Sequence, residues 1–217
     1  MVIDKGGAVD LSDPMSSIIP SGHGAVLAVL ARTERPLTGR KVAELSGGRV
    51  SQSRVSEVVR ELTDAGIVLC DEHPPAKLYR LNRDHVAADA VIALAQQRER
   101  LIGRMRDGIG TWSPAPAAVW LFGSLARGEG GVRSDIDVLV VRPDTVSTDD
   151  PGWSAQIDEF TTQVLRWSGN QCSMLEYSAQ EFSDLVERGE RLVDELRRDG
   201  LHLAGTRAAT RLKAKAR

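Results

Sequence analysis

The chain has 217 residues, of which 41% are hydrophobic and 27% charged, a balance that suits folded domains and argues against extensive disorder. The length accommodates two small domains, and the formal net charge of −2 offers no whole-chain basic footprint for nucleic acid. No apolar run approaches the roughly 20 residues that span a bilayer, the opening MVIDKGGAVDLSDPMSS lacks a signal peptide's hydrophobic region, and Cys70 and Cys172 stand outside any CxxC pattern, so neither a membrane protein, a secreted chain nor a cysteine-based zinc site is expected, and a cytoplasmic location is.

Residues 1–19 mix Gly, Asp, Ser and Pro without periodicity and read as a flexible leader. HGAVLAVLART then has the composition of a short buried helix ended near Pro36. Thr38 is placed to cap a second helix whose inward positions are Val42, Ala43 and Leu45. After the Gly47-Gly48 turn, a third helix from about Ser51 carries Val55, Val58, Val59 and Leu62 at the i, i+3, i+4, i+7 spacing of one buried face, with Gly66 as its stop. IVLCDEHPPAKLYRLN follows as two strand-like runs separated by a turn containing Pro74 and Pro75.

Residues 84–109 form a long helical stretch with Val91, Leu94, Ala95, Leu101, Ile102 and Met105 on one face, interrupted by Arg98, and are expected to be a connecting helix. Packing on a neighbouring domain is the first use for that stripe and a homodimer contact the second. From 110 to 205 strand and helix alternate: AAVWLF, DIDVLVV, a helix with Trp153, Ile157, Phe160, Val164 and Leu165, the strand CSMLEY, a helix with Phe182, Leu185 and Val186, and a closing RLVDELRRDG with LHLAG. The fold class is thus α+β or α/β, ending in a small mixed sheet covered by helices. The tail, 206–217, carries five cations and no acidic residue. The four histidines show no ligand spacing.

The segment that carries chemistry is LFGSLARGEGGVRSDIDVLVV, residues 121–141. A strand ending at Phe122 runs into Gly123-Ser124, and ten residues later Asp135-Ile136-Asp137 opens another strand. Because successive side chains alternate along a strand, Asp135 and Asp137 share a face and both reach toward one or two hard divalent cations such as Mg²⁺ or Mn²⁺. Gly123 lets the backbone approach a triphosphate, and the Ser124 hydroxyl with nearby N–H groups is suited to phosphate oxygens. Arg127, and after it Arg133, are candidates for neutralising phosphate charge.

Gly-Ser, ten residues, Asp-x-Asp resembles the signature of the DNA polymerase β nucleotidyltransferase superfamily, and GSLARGEG before SDIDVLVV looks most like its minimal members over about residues 110–205. The resemblance implies metal-dependent transfer of a nucleoside monophosphate from an NTP, ATP foremost, to a hydroxyl, with Asp135 and Asp137 as catalytic metal ligands. A protein acceptor, as in antitoxins that modify a toxin, is one implied partner; RNA and small molecules are others. It also implies a third carboxylate on a later strand. Laid on CSMLEYS that position falls on Ser173, and the nearest carboxylate, Glu176, lies three positions on and so on the opposite strand face unless a bulge re-aims it. A domain without turnover that senses nucleotide or holds a partner is therefore the alternative.

Residues 20–83 resemble the winged helix-turn-helix of bacterial transcription regulators. The resemblance implies double-stranded DNA as partner, with Ser51, Gln52, Ser53 and Arg54 entering the major groove and Arg40, Lys41, Arg49 and wing residue Lys77 on phosphates. Protein docking is the competing use of such a domain.

Overall fold

The computed structural model describes residues 10–206, which divide into two compact units: Asp13–Gln97, and Arg98 onward together with residues 10–12.

The amino-terminal unit runs α1 (Pro14–Ile18), α2 (Gly22–Ala31), β1 (Leu37–Thr38), α3 (Gly39–Leu45), α4 (Gln52–Asp64), β2 (Val68–His73), β3 (Ala76–Leu81) and α5 (Ala88–Ala95). Local chemistry sets the helix starts. The Thr38 hydroxyl accepts the Lys41 N–H at 3.2 Å, and the Ser51 hydroxyl accepts the Arg54 N–H at 3.3 Å. Val55, Val58, Val59 and Leu62 of α4 are all buried, against Val26 and Leu30 of α2, Val42 of α3 and Met15 of α1. β2 and β3 form an antiparallel hairpin, and two-residue β1 joins the far side of β3 with Leu37 opposite Tyr79.

Four expectations need correction here. Residues 10–19 are not a featureless leader: they contain α1, and Met15 is fully buried in the unit's core; residues 1–9 lie outside the described residues. Leu45 does not point inward; it is 51% exposed at the end of α3. The stretch 84–109 is two helices, α5 and α6 (Gln97–Gly110), parted at Gln96, whose φ of −105° and ψ of 17° leave the helical range. The apolar stripe also divides: Val91 and Ala95 belong to one core, and Leu101, Ile102 and Met105 to another. The basic tail lies outside the described residues from 207 on.

The carboxy-terminal unit continues from α6 with β4 (Ala118–Phe122), α7 (Gly123–Arg127), β5 (Ile136–Arg142), α8 (Pro151–Ser168), β6 (Cys172–Ser178), α9 (Ala179–Arg188), α10 (Arg191–Asp199) and β7 (Leu201–Gly205). Among the described residues its four strands lie in the order β6-β5-β4-β7; β5 and β6 are parallel and the other pairs antiparallel, a mixed sheet as expected. β4 and β5 are apolar on both faces because helices cover both. Val119, Leu121, Ile136, Val138 and Val140 pack against Met105 and Ile109 of α6 and Trp153, Phe160 and Val164 of α8. Ala118, Trp120, Phe122, Leu139 and Val141 pack against Phe182 of α9 and Val193 and Leu196 of α10. Trp112 closes the first core edge-on to Trp153 and Phe160, at 5.7 and 5.6 Å between ring centres. Full burial of a large apolar side chain such as Phe160 or Phe182 contributes roughly 1.5–3 kcal/mol, so a rigid sheet stands behind the loops at its edge.

Candidate functional site

At the end of β4 the chain turns through Gly123, at φ +70°, into α7. A Cβ on Gly123 would stand 2.1 Å from Asp137 Oδ2, so only glycine lets the Asp137 carboxylate lie against this backbone. Asp137 is opposite Phe122 on β4 and level with Ser173 on β6. Since Leu139 and Val141 face α9 and α10, alternation places Asp137 on that same face. Asp135 precedes β5 and is exposed.

The two carboxylates and the turn line one open cleft of about 620 Å³. Phe122, Gly123, Ser124 and Arg127 form one part of its wall, Ser134, Asp135 and Asp137 another, and α10 contributes Arg191, Glu195 and Arg198. Burial pushes the Asp137 carboxyl above its ordinary range, and the charges of Asp135 and, less strongly, Glu195 push it further, with Arg127 opposing them. Arg127 is held by Glu129 at 2.7 Å and Arg198 by Asp199 at 2.7 Å, while Arg191 donates to Glu195 at 3.0 Å. These are surface pairs, which hold their partners only weakly. On the other face of β6, burial pushes the Cys172 thiol up to about 12, with the Asp137 charge adding to it, so it stays protonated.

The cleft thus gathers Gly123, Ser124, Arg127, Asp135 and Asp137. It does not include Arg133, which is exposed elsewhere. Ser173 is exposed beside Asp137 in an unbroken register. Glu176 is on the opposite face, where its carboxylate accepts from Arg142 Nε at 2.7 Å and Trp153 Nε1 at 3.0 Å, and no bulge turns it back. Arg191, Glu195 and Arg198 escaped the sequence reading. Their i, i+4, i+7 spacing, opposite Val193 and Leu196, marks one polar helix face, but nothing local says what that face looks at. Among the described residues, no group of three His, Cys, Asp or Glu is gathered closely enough to hold a metal; the carboxylates that line the cleft are Asp135, Asp137 and Glu195.

In the amino-terminal unit Arg40, Lys41, Arg49, Ser51, Gln52, Ser53, Arg54 and Lys77 are all exposed. Ser51 is spent on capping α4, and its hydroxyl lies 3.0 Å from that of Ser53. Lys41, Arg49, Arg54 and Lys77 are paired with Glu44, Asp13, Glu57 and Glu72. The unit carries ten Lys and Arg against ten Asp and Glu, so its phosphate affinity would depend on local placement rather than net charge.

Residues 102–199 match the family model for the nucleotidyltransferase domain. Among curated proteins none matches the chain. Two solved structures resemble it: a toxin-antitoxin with AMP-PNP, at 21% identity, and a mutant of the toxin-antitoxin MntA-HpeT, at 19%. Each likeness covers 53% of this chain and 78% of the other, at a TM-score of 0.33. The family match spans residues 102–199, a little under half of the chain. Among the described residues no helix is long and apolar enough to cross a membrane.

Proposed function

We propose that the cleft transfers a nucleoside monophosphate from a nucleoside triphosphate, ATP foremost, to a hydroxyl acceptor, with a protein hydroxyl as the first acceptor to test. The observation that carries this reading is the contact of Asp137 with the Gly123 turn, which sets a metal-binding group against a phosphate-binding one inside a nucleotidyltransferase domain. Asp135 and Asp137 suit a hard divalent cation: both are carboxylates, both line the cleft, and burial followed by the charge of Asp135 raises Asp137, an unfavourable arrangement that a cation would relieve. A bound Mg²⁺ or Mn²⁺ supplies charge neutralisation at the reacting phosphate and acceptor oxygens.

The chain's own groups do the rest. Ser124 and the backbone at Gly123 receive phosphate oxygens, and Arg127 and Arg198 exchange their surface carboxylates for the triphosphate's charge. The acceptor oxygen bonds to the α-phosphorus as the bond to the bridging oxygen breaks, and pyrophosphate leaves. The hydroxyl proton needs a base. Glu195 is the third carboxylate of the cleft and takes that role in this reading, from a helix rather than from β6.

For the amino-terminal unit, we infer a winged helix-turn-helix that binds double-stranded DNA. The order α2, β1, α3, α4 and the β2-β3 hairpin supports it, as do the exposed Gln52, Ser53 and Arg54 at the start of α4.

One observation favours a second reading. Ser173, level with Asp137, leaves β6 without a carboxylate on the cleft face, which suits a regulator that binds nucleotide without turning it over. Calorimetry with ATP, with and without Mg²⁺, tests what the two readings share. Replacing Asp135 and Asp137 together by Asn should abolish the metal-dependent part of binding; unchanged affinity removes the site.

A further inference from the structure

The ten residues between Ser124 and Asp135 join the phosphate-facing half of the cleft to the metal-facing half, and groups from outside this segment hold both of its ends. At the first end, α7 has only five residues, too few to be stable alone. The Arg98 guanidinium reaches from α6 and donates from Nε to the Leu125 carbonyl and from Nη2 to the Ala126 carbonyl, both at 2.9 Å. Its side chain is 21% exposed, and it brings a cation to the negative end of α7. Arg98 looks in the sequence like a fault in an apolar stripe, yet its role is polar and specific.

At the other end, Asn170 sits in the turn between α8 and β6 and is 3% exposed. Its Nδ2 donates to the Ser134 carbonyl at 3.0 Å, with the Gly131 and Val132 carbonyls at 3.5 Å. The next residue, Gln171, accepts the Ile136 N–H through its carbonyl at 2.8 Å. Asp135 is therefore flanked by two anchored residues, one tied to Asn170 and one to Gln171. Between the two ends, the Ser12 N–H donates to the Gly130 carbonyl at 2.9 Å.

We propose that Arg98 and Asn170 are positioning residues for nucleotide transfer: Arg98 fixes the phosphate-facing half and Asn170 the metal-facing half. The inference rests on the nucleotidyl-transfer reading above. Neither side chain is among those lining the cleft, and each acts through backbone carbonyls it gathers. Such preorganisation matters because misplacement of a reacting group by about 1 Å costs on the order of 10²-fold in rate. A general loss of stability would harm both halves alike. The placement of these two residues instead requires that their loss be felt at different ligands.

The test uses the full chain and two probes that need no turnover: inorganic tripolyphosphate by calorimetry, and Mn²⁺ alone by the loss of its free-ion electron paramagnetic resonance signal. Arg98→Met keeps the aliphatic stem and removes the donors. It should weaken tripolyphosphate about tenfold or more, as the loss of charge-assisted hydrogen bonds implies, and leave Mn²⁺ within about twofold. Asn170→Ala should do the reverse, and Arg98→Lys, which retains one donor group, should recover part of the tripolyphosphate affinity. Circular dichroism and thermal melting establish that each variant is folded; if Arg98→Met is not, Arg98→Gln replaces it. Equal losses on both probes, or no loss on either, overturn the proposal. Ser124→Ala and the double Asn variant of Asp135 and Asp137 serve as references. If these leave tripolyphosphate and Mn²⁺ unaffected, the transfer reading itself fails, whereas if they respond and the Arg98 and Asn170 variants do not, only the positioning roles fall.

Discussion

Gly123→Ala should be far more damaging than its single methyl group suggests. Two costs add. The backbone at φ +70° disfavours any L side chain by roughly 1–2 kcal/mol. The new Cβ would also fall 2.1 Å from Asp137 Oδ2, against an ordinary contact above 3.4 Å, so the carboxylate must retreat by more than 1 Å. A displacement of that size at a reacting group is worth about 10²-fold in rate. Gly189→Ala separates the two costs, since Gly189 has a φ of +65° and nothing within 4 Å of its Cβ position. Thermal melting should show a similar loss for the two variants from backbone strain. Mg²⁺-dependent ATP affinity and label transfer should fall only for Gly123→Ala. Equal, small effects of the two substitutions on nucleotide binding would refute the idea that this glycine exists to admit Asp137.

Other expectations follow from the same geometry. Because the Asp137 carboxyl is raised by burial and by Asp135, its folded-state pKa exceeds the unfolded one, so its stabilising share is present at low pH and lost as pH rises through the raised value. Asp137→Asn should accordingly raise the melting temperature at neutral pH and not below the ordinary carboxylate range, and wild-type Mg²⁺ affinity should weaken as pH falls through the raised pKa; melts and calorimetry across pH check both. Ser173→Asp should place a carboxylate beside Asp137 and raise transfer, general-base assistance being worth roughly 10²–10⁴-fold, whereas Glu195→Gln should lower it; a rate indifferent to Glu195→Gln would remove that residue as base. If Arg54 reads a guanine, Arg54→Ala should cost about 1–3 kcal/mol at the preferred site and relax specificity there, while Lys77→Ala should weaken all sequences alike. A binding selection that enriches no sequence would instead point to protein docking.

How much could be read from the sequence depended on how local the cause was. The i, i+3, i+4, i+7 spacing of Val55, Val58, Val59 and Leu62 gave α4, and the Ser51 cap gave its start, because both signals lie within the helix itself. The two-residue spacing of Asp135 and Asp137, which both line the cleft at the start of β5, is likewise a local signal. The break at Gln96 was hidden because the apolar period runs through it, although the residues on its two sides serve different cores. β1, with two residues, is too short to show alternation and exists only because β3 offers it an edge. The resemblance implies a third carboxylate on β6, where Glu176 is occupied by Arg142 and Trp153. Glu195 reaches the cleft from a helix about sixty residues beyond the Asp pair, and such a meeting depends on packing that no local pattern records. Arg98 and Asn170 were invisible for the same reason, since their partners are backbone carbonyls 27 and 36 residues away in the chain.

The proposed reaction moves a nucleotide from an NTP onto a hydroxyl, and it is tested by incubating the protein with α-³²P-labelled NTPs, Mg²⁺ or Mn²⁺ and cell lysate, beside the variant with Asn at both 135 and 137. Label should appear on a discrete acceptor with the wild type, ATP being the best donor, and vanish with the variant. If the wild type and Ser173→Asp both bind ATP with metal yet label nothing, or if the variant labels as well as the wild type, transfer by this cleft is contradicted.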